Sequence, residues 1–368
     1  MLSTLRVPFP YIDGLCGACC LWAGFVYRPW QRWGFNLAVV LFTLAIAEAI
    51  VRPKQPGEAS YVSLDDPSKK FSMRDDLLGS VPRPNSRARH TLETAGEFNI
   101  DATYTIDENS LRVVLPPGDP ANDTVVFCGC SFTFGEGVED DETLPSQVAR
   151  RRPDLRVLNF GFSGYGPHQM LANLESGRLG TICQKSPRVV IYQMIPQHVK
   201  RVVGWVPYRV HAPRYGWREG RVSRLGHHDD RPWMPLLQRG LAKSGVYSQL
   251  LDDWIISRSD IELTAAVVKQ SAAEVERQFP GCEFHVLFWS FPPNPISASL
   301  SAELKGRGLK LHMVQEFAPE IEERKSRYGI PGDGHPTAEA YACLADYICE
   351  KILQNATSPS PESAGNQP

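Results

Sequence analysis

The amino-acid sequence predicts an α/β fold with a doubly wound, mostly parallel sheet, preceded by a transmembrane helix. Two observations lead to this class. Continuous apolar runs alternate with helix-period stretches from residue 124 onward, as in sheets that helices cover on both faces. A nearly uncharged run lies from Phe35 to Val51. At 368 residues, the chain is long enough for one large domain or two modest ones.

The predicted β–α alternation contains four strands, each a short apolar run. They are TVVFCG (124–129), RVLNFG (156–161), RVVIYQM (188–194) and FHVLFWS (284–290). Helix-period stretches lie over residues 143–151, 168–179, 261–278, 299–305 and 338–353. In sheets of this kind ligands bind beyond the carboxyl ends of the strands.

The apolar run from Phe35 to Val51 has basic residues on both sides. At about 1.5 Å of rise per residue, it is just long enough to span a bilayer core. A cleaved signal peptide is the alternative, but the segment before the run is long and no small-x-small cleavage site follows it. We therefore predict a single-pass anchor, with the N-terminus inside and the α/β domain outside. The flanking charges indicate this orientation only weakly.

The rest of the chain divides by composition. Residues 1–34 precede the anchor (35–52), and residues 53–122 are predicted to form an extended lead-in with some strands. Residues 123–354 form the α/β domain, with an insertion over about 202–259, and the tail 355–368 has too little apolar content to fold. The net charge is −2, which gives no indication of a nucleic-acid partner.

Polar residues that suit nucleophilic catalysis lie where the fold places its ligand site. Ser131, in GCSFTFGEG (129–137), follows the first strand in a glycine-flanked turn that exposes its hydroxyl. A serine hydroxyl needs a base to take its proton, and His335 in GDGHPTAEAY is the candidate. Asp333 can orient the imidazole and stabilise its charged form. A turn or N-cap serine is the structural alternative.

GCSFTFGEGV resembles the GDSL block of the SGNH hydrolases in its GDSFTFG version, and the resemblance extends across most of residues 75–350. It implies a flavodoxin-like three-layer fold with Ser131 as the nucleophile. NFGFSGYGPHQ (159–169) resembles the second block, which makes Gly164 the oxyanion-hole glycine, acting with the backbone N–H of Ser131. The terminal block has a D-x-H form, with His335 as base and Asp333 as its partner.

Two departures from the family pattern affect the site. Cys130 replaces the aspartate that precedes the nucleophile, and MIPQHVKR (194–201) replaces the third block, G-x-N-D. The asparagine that completes the oxyanion hole therefore has no identical counterpart. Gln197 is the nearest match by position, and His198 is the alternative donor.

The apolar segment followed by DDLLGSVPRPN and YTIDENSLRV resembles bacterial envelope SGNH proteins. The resemblance implies a serine-dependent carboxyl-ester hydrolase of the periplasmic side, acting on O-acyl groups, acetyl in particular, of cell-envelope glycans. It implies no metal or organic cofactor. The expected partners are an acylated glycan or small ester, the membrane, and alternatively a membrane acyltransferase, with no nucleic acid.

Two other functions stay open at this point. The same serine would serve an O-acetyltransferase that hands the acyl group to a sugar hydroxyl, and a chain with an incomplete oxyanion hole would serve as a membrane-tethered glycan-binding or assembly protein. The aromatic and basic insertion is a candidate sugar platform, with simple packing as the alternative. Its members are Trp205, Tyr208, Arg209, Tyr215, Trp217 and Arg218.

Overall fold

The computed structural model describes residues 31–51, 58–94, 97–206, 208, 210–241, 243–247, 251, 253–291 and 294–354. The described residues form two compact units. The smaller unit combines residues 31–51 with Pro232–Ile255, and the larger contains residues 58–231 and 256–354. The predicted N-terminal segment up to residue 30, and the tail, lie outside the described residues.

Twelve strands lie in the larger unit as the structure describes it. They are β1 Glu58–Ser63, β2 Ser72–Asp75, β3 Gly79–Pro82, β4 Ser86–Thr94, β5 Glu97–Ile106, β6 Asp123–Cys128, β7 Leu155–Asn159, β8 Val189–Met194, β9 Pro213–Arg218, β10 Arg221–His227, β11 Glu283–Phe288 and β12 Lys310–Met313.

The described helices number thirteen. They are α1 Gln31–Ile50, α2 Ser131–Phe134, α3 Leu144–Arg151, α4 Pro167–Glu175, α5 Arg178–Cys183, α6 His198–Val203, α7 Met234–Leu241, α8 Arg258–Gln278, α9 Pro295–Gly306, α10 Val314–Phe317, α11 Pro319–Glu323, α12 Lys325–Tyr328 and α13 Ala338–Tyr347. Short 3₁₀ turns cover Asp140–Glu142 and His228–Asp230, and a π-helical turn, Ile348–Leu353, continues α13.

The central sheet has five strands in the order β12-β11-β8-β6-β7. Every neighbouring pair is parallel, so the predicted parallel α/β sheet is confirmed. The four strands predicted from apolar runs are β6, β7, β8 and β11. β12 was not predicted, because its sequence KLHM is short and only partly buried.

Apolar side chains cover both faces of this sheet. Along β6, Val126 and Cys128 belong to one core cluster, while Val125 and Phe127 belong to a second cluster on the other face. Successive side chains of a strand point to opposite faces, so both faces need apolar residues when helices pack on each. This explains why β8, VVIYQM, is buried at every position.

The lead-in before β6 is more structured than its composition indicated. β1, β4 and β5 form an antiparallel sheet in the order β1-β4-β5, and β2 and β3 form a hairpin. Buried side chains of this region, such as Ile100 and Tyr104, form a third apolar cluster with Phe134 of α2 and Phe162 after β7. The lead-in therefore packs directly against the two segments that follow β6 and β7.

In the smaller unit, most of α1 from Phe35 to Ile50 is apolar and exposed. Glu48 is buried, and its carboxylate accepts hydrogen bonds from Ser244 Oγ and, at 2.7 Å, from the backbone N–H of Gly245. Glu48 thus bonds the start of a neighbouring helical turn in the same unit. None of the described helices is long and apolar enough to cross a membrane.

Candidate active site

Ser131 lies just beyond the carboxyl end of β6 and is the first residue of the short helix α2. The turn is tight because Gly129, with φ of +156°, passes close to Thr133: a Cβ at Gly129 would lie 2.1 Å from Thr133 Oγ1. A larger residue at position 129 would force the Thr133 side chain to move and would also meet the carbonyl of Gln193 at 2.9 Å. Gly129 therefore allows α2 to start this close to the end of β6.

His335 and Asp333 meet Ser131 in the larger unit. Ser131 Oγ lies 2.8 Å from His335 Nε2, and His335 Nδ1 bonds the carboxylate of Asp333. Asp333 also accepts the backbone N–H of His335 at 3.2 Å. With Nδ1–H donated to Asp333, Nε2 is the free base that can accept the serine proton. Ser131, 204 residues before His335 in the chain, is thus within hydrogen-bond reach of the base that Asp333 orients.

The surroundings of His335 favour its charged form. Burial acts to lower the pKa of His335, but the hydrogen bond to Asp333 and the charges of Glu136 and Asp333 outweigh it and raise the pKa above its ordinary value. Burial likewise acts to raise the pKa of Asp333, but its bonds to His335 lower it. The imidazolium that would form when Ser131 loses its proton is therefore stabilised.

Two backbone N–H groups are available near the serine. Gly164 has φ of +80°, in the left-handed region that favours glycine. Within the described residues, neither the N–H of Gly164 nor that of Ser131 has a hydrogen-bond acceptor. Both sit in the segments after the adjacent strands β6 and β7. They are the donors that the sequence predicted for an oxyanion.

Asn159, the last residue of β7, joins these two segments. Its side-chain nitrogen donates to the carbonyl of Thr133 at 3.0 Å, and its oxygen accepts the N–H of Gly161 at 3.0 Å. One buried amide thus links α2 to the loop that carries Gly164. The motif N-x-G-x-x-G contains this residue, but no sequence pattern predicts its bond to α2.

Glu136 was not predicted, although it lies inside the nucleophile motif. Its carboxylate accepts hydrogen bonds from the hydroxyls of Tyr61 in β1 and Ser163 beside Gly164. Burial acts to raise its pKa, but the charge of His335 and these two bonds lower it. Glu136 is therefore a carboxylate whose charge acts on the base. We refer to Tyr61, Glu136 and Ser163 as the polar wall.

Substitution of Glu136 by glutamine should move the pH profile of ester cleavage. Removing the negative charge lowers the pKa of His335, and His335 accepts a proton only when neutral. The acidic limb of the profile of kcat/KM against pH should consequently shift to lower pH. Ester cleavage measured from about pH 4 to pH 9 tests this. Glu108→Gln, at an exposed turn position, is the matched control. An unchanged limb, or a shift to higher pH, would show that Glu136 does not act on the base.

Cys130, which directly precedes Ser131, is fully buried. Arg201 of α6 lies against its thiol and donates from Nη1 to the carbonyl of Tyr165 at 2.6 Å. Burial acts to lower the pKa of Arg201, but Tyr208 and Cys130 raise it. Arg201 thus ties the segment after β8 to the loop that carries Gly164. Arg201 is the last residue of MIPQHVKR, and the sequence pattern predicts no role for it.

The third oxyanion donor is not identified by a contact to the serine. Gln197 is exposed at the N-terminal end of α6, and its amide has no hydrogen bond to any described residue. His198 is fully buried, and its Nδ1 lies 2.7 Å from the hydroxyl of Tyr192 in β8. Burial sets the pKa of His198 well below its ordinary value. Among the described residues each candidate keeps one unpaired donor: the Gln197 amide is exposed, whereas His198 Nε2 is buried.

One member of the candidate sugar platform is not accessible to a sugar. Tyr215 of β9 is buried, and its hydroxyl donates a hydrogen bond to Glu175 of α4 at 2.6 Å, so its ring packs against α4 and cannot stack on a sugar. Tyr208 and Trp217 are exposed. Arg209 lies outside the described residues. For Tyr215 the simpler packing explanation is the correct one.

Arg112, just after the lead-in sheet, fixes the far end of α2. This fully buried guanidinium donates to the carbonyls of Phe134 (2.9 Å), Gly135 (2.5 Å) and Val138 (2.7 Å), and its Nε pairs with Asp140 at 2.9 Å. A buried charge is tolerated when its donors are satisfied in this way. A single arginine in a segment whose composition is typical of a linker does not predict such a role.

Comparisons with known proteins give structural matches only. No family model matches the chain, and no curated protein matches it. A member of the lipolytic protein G-D-S-L family from Veillonella parvula is 12% identical, covers 63% of this chain and 98% of its own, and has a TM-score of 0.35. The lipase/acylhydrolase from Enterococcus faecalis is 13% identical, with coverages of 65% and 99% and a TM-score of 0.36.

A third match is the psychrotrophic esterase EstA from Pseudoalteromonas sp., 15% identical, which covers 63% of this chain and 98% of its own with a TM-score of 0.34. These identities and TM-scores are low. The chemistry of this chain therefore has to be judged from the geometry of its own site: a serine, a base with an oriented tautomer, and two unpaired N–H groups.

Proposed function

We propose that this chain is a serine-dependent carboxyl-ester hydrolase that works through an acyl-serine intermediate. The observation that carries the proposal is the 2.8 Å contact between Ser131 Oγ and His335 Nε2, with Asp333 bonded to the other ring nitrogen. A purely glycan-binding protein would have no need to keep this alignment, and a separation beyond hydrogen-bond reach would have favoured that alternative.

In the first half of the reaction, Ser131 Oγ attacks the ester carbonyl carbon while His335 Nε2 takes the hydroxyl proton. The carbonyl oxygen becomes negative and accepts bonds from the N–H groups of Ser131 and Gly164. The C–O bond to the alcohol then breaks, and His335 returns its proton to the leaving oxygen. In the second half, water attacks the acyl-serine by the same route, releasing the acid and restoring Ser131.

For the substrate, we propose O-acyl groups on glycans of the cell envelope. The polar wall supports a hydroxyl-rich alcohol part, because the charge of Glu136 acts on the base and the hydroxyls of Tyr61 and Ser163 bond to that same carboxylate. Acetyl is the acyl group that the sequence resemblance implies. A membrane acyltransferase that supplies or shares the acylated glycan is a compatible partner.

Hydrolysis and transfer differ in the fate of the acyl-serine. With a nitrophenyl ester as donor, we expect the acid to be the main product, and the addition of a soluble oligosaccharide to leave the yield of acid nearly unchanged. Chromatography with mass detection measures both products. If acylated oligosaccharide forms at the expense of the acid, the chain is a transferase that uses the same serine. Ser131→Ala is the control in both arms.

We also propose that α1 attaches the chain to a membrane, with the larger unit on the periplasmic side. The support is the apolar, exposed character of its side chains, which are Phe35, Leu37, Val39, Val40, Phe42, Leu44, Ile46 and Ile50. Contiguous exposed apolar surface of this kind is typical of lipid or protein contact. The full-length chain should sediment with membranes after a high-salt wash. Recovery in the soluble fraction would contradict the attachment.

A further inference from the structure

A cavity of about 420 Å³ lies beside the catalytic pair in the larger unit. Phe132, next to Ser131, lines it, as do Gly334 and Pro336 on either side of His335. The residues that line the cavity therefore include direct chain neighbours of both the nucleophile and the base. Its volume lies within the range of small-molecule sites.

The walls of the cavity are largely apolar. Its side chains include Phe132, Trp289, Phe291, Ile321, Tyr328 and Ile330. The Phe132 ring packs edge-on against the rings of Trp289 and Phe291, with centroids 5.2 and 5.8 Å away, and lies 5.3 Å from the His335 ring. The steps of ester hydrolysis use none of these aromatic side chains, so their position around the base needs another reason.

Phe291 adds a second observation. Its φ is +49°, an unfavourable conformation for a bulky residue. Its backbone N–H donates to the carboxylate of Glu322 at 3.3 Å, and Glu322 also lines the cavity. Strained backbone that the surrounding structure holds in place is typical of ligand sites. Here it keeps an aromatic ring on the cavity wall.

The cavity and the polar wall are made of different side chains, because neither Tyr61, Glu136 nor Ser163 lines the cavity. An ester has two parts to accommodate, the acyl group and the alcohol. A hydroxyl-rich alcohol suits the polar wall, which leaves the apolar cavity for the acyl group. We propose that the cavity binds an apolar acyl chain longer than acetyl, an inference that rests on the proposed ester hydrolysis and replaces acetyl as its preferred group.

The acyl-chain dependence of purified full-length protein tests this site. With nitrophenyl esters from acetyl to decanoyl, kcat/KM should rise about 4-fold per methylene, or on the order of 10²-fold from acetyl to hexanoyl, because each buried methylene contributes about 0.8 kcal/mol. In a second series, acetate esters of alcohols with increasing alkyl length should show no comparable rise. A rise confined to the alcohol series would overturn the acyl assignment.

A variant that fills the cavity makes the test specific. Ser326 is an exposed lining residue, and Ser326→Trp should remove most of the gain for hexanoyl and octanoyl esters while acetyl-ester turnover is kept. Ser259→Trp, at an exposed position in α8 that does not line the cavity, should leave the whole series unchanged. Equal rates for all chain lengths with active enzyme would refute the cavity proposal alone. If no ester is cleaved and Ser131 is not acylated, the failure belongs to the hydrolase proposal.

Discussion

Ser131→Ala is expected to reduce kcat/KM for every ester the protein cleaves by about 10⁴–10⁶-fold. The acyl-enzyme route requires a nucleophile 2.8 Å from the base, and Ser131 Oγ occupies that place. The variant should keep the thermal midpoint of the wild type to within a few degrees, because it loses one partly exposed hydrogen bond. Steady-state hydrolysis of a nitrophenyl ester, with circular dichroism of both proteins, measures the two quantities.

A matched variant distinguishes loss of the nucleophile from a general disturbance of the site. Ser163→Ala removes a hydroxyl bonded to Glu136, beside the oxyanion glycine, but removes no nucleophile. We expect a loss for Ser163→Ala at least 100-fold smaller than for Ser131→Ala, in line with a positioning effect. Comparable losses in the two variants would mean that the position of the loop, rather than the hydroxyl of Ser131, limits the reaction.

His335→Ala should cost nearly as much as Ser131→Ala, and the double variant should be hardly worse than either. Residues that act as a unit show such non-additive losses, because removal of either one ends the same step. Asp333→Asn should also be severe, of the order of 10⁴-fold, since an amide no longer fixes the tautomer that leaves Nε2 free. The kcat values of these four variants and of the wild type, measured at pH 8, provide the comparison.

An additive double variant would count against this mechanism, because independent losses require that Ser131 and His335 serve different steps. Recovery of His335→Ala activity by added imidazole would support the base assignment. His312→Ala is a suitable control, because His312 pairs with His285 and Tyr347 at the edge strand β12, in contacts separate from the serine.

The parallel sheet was predictable because its strands are buried on both faces, so β6, β8 and β11 appear as continuous apolar runs. The sheet formed by the lead-in could not be predicted, because its strands are half exposed and rich in charged residues. The sequence of β4, for example, is SRARHTLET. Cross-strand pairs such as Arg89 with Asp101 make these charges compatible with a strand, and pairing partners cannot be read from one sequence.

Within the site, residues in motifs were predictable and residues held by tertiary contacts were not. Ser131, Gly164 and His335 follow strands or precede a helix in recognisable patterns. The roles of Tyr61, Arg112 and Glu136 depend on the lead-in folding over α2, a contact between segments far apart in the chain. From the sequence alone, Glu136 in GCSFTFGEG is typical of a solvent-exposed turn residue.

Covalent labelling of the full-length protein with a fluorophosphonate tests the central claim most directly. The probe needs a serine activated by a base, and peptide mapping by mass spectrometry identifies the residue that carries the phosphonyl group. We predict a single modification, on Ser131, that is lost in Ser131→Ala and at least 100-fold slower in His335→Ala. Labelling of another residue, or an unlabelled Ser131 in a folded protein that still cleaves esters, would contradict the serine mechanism.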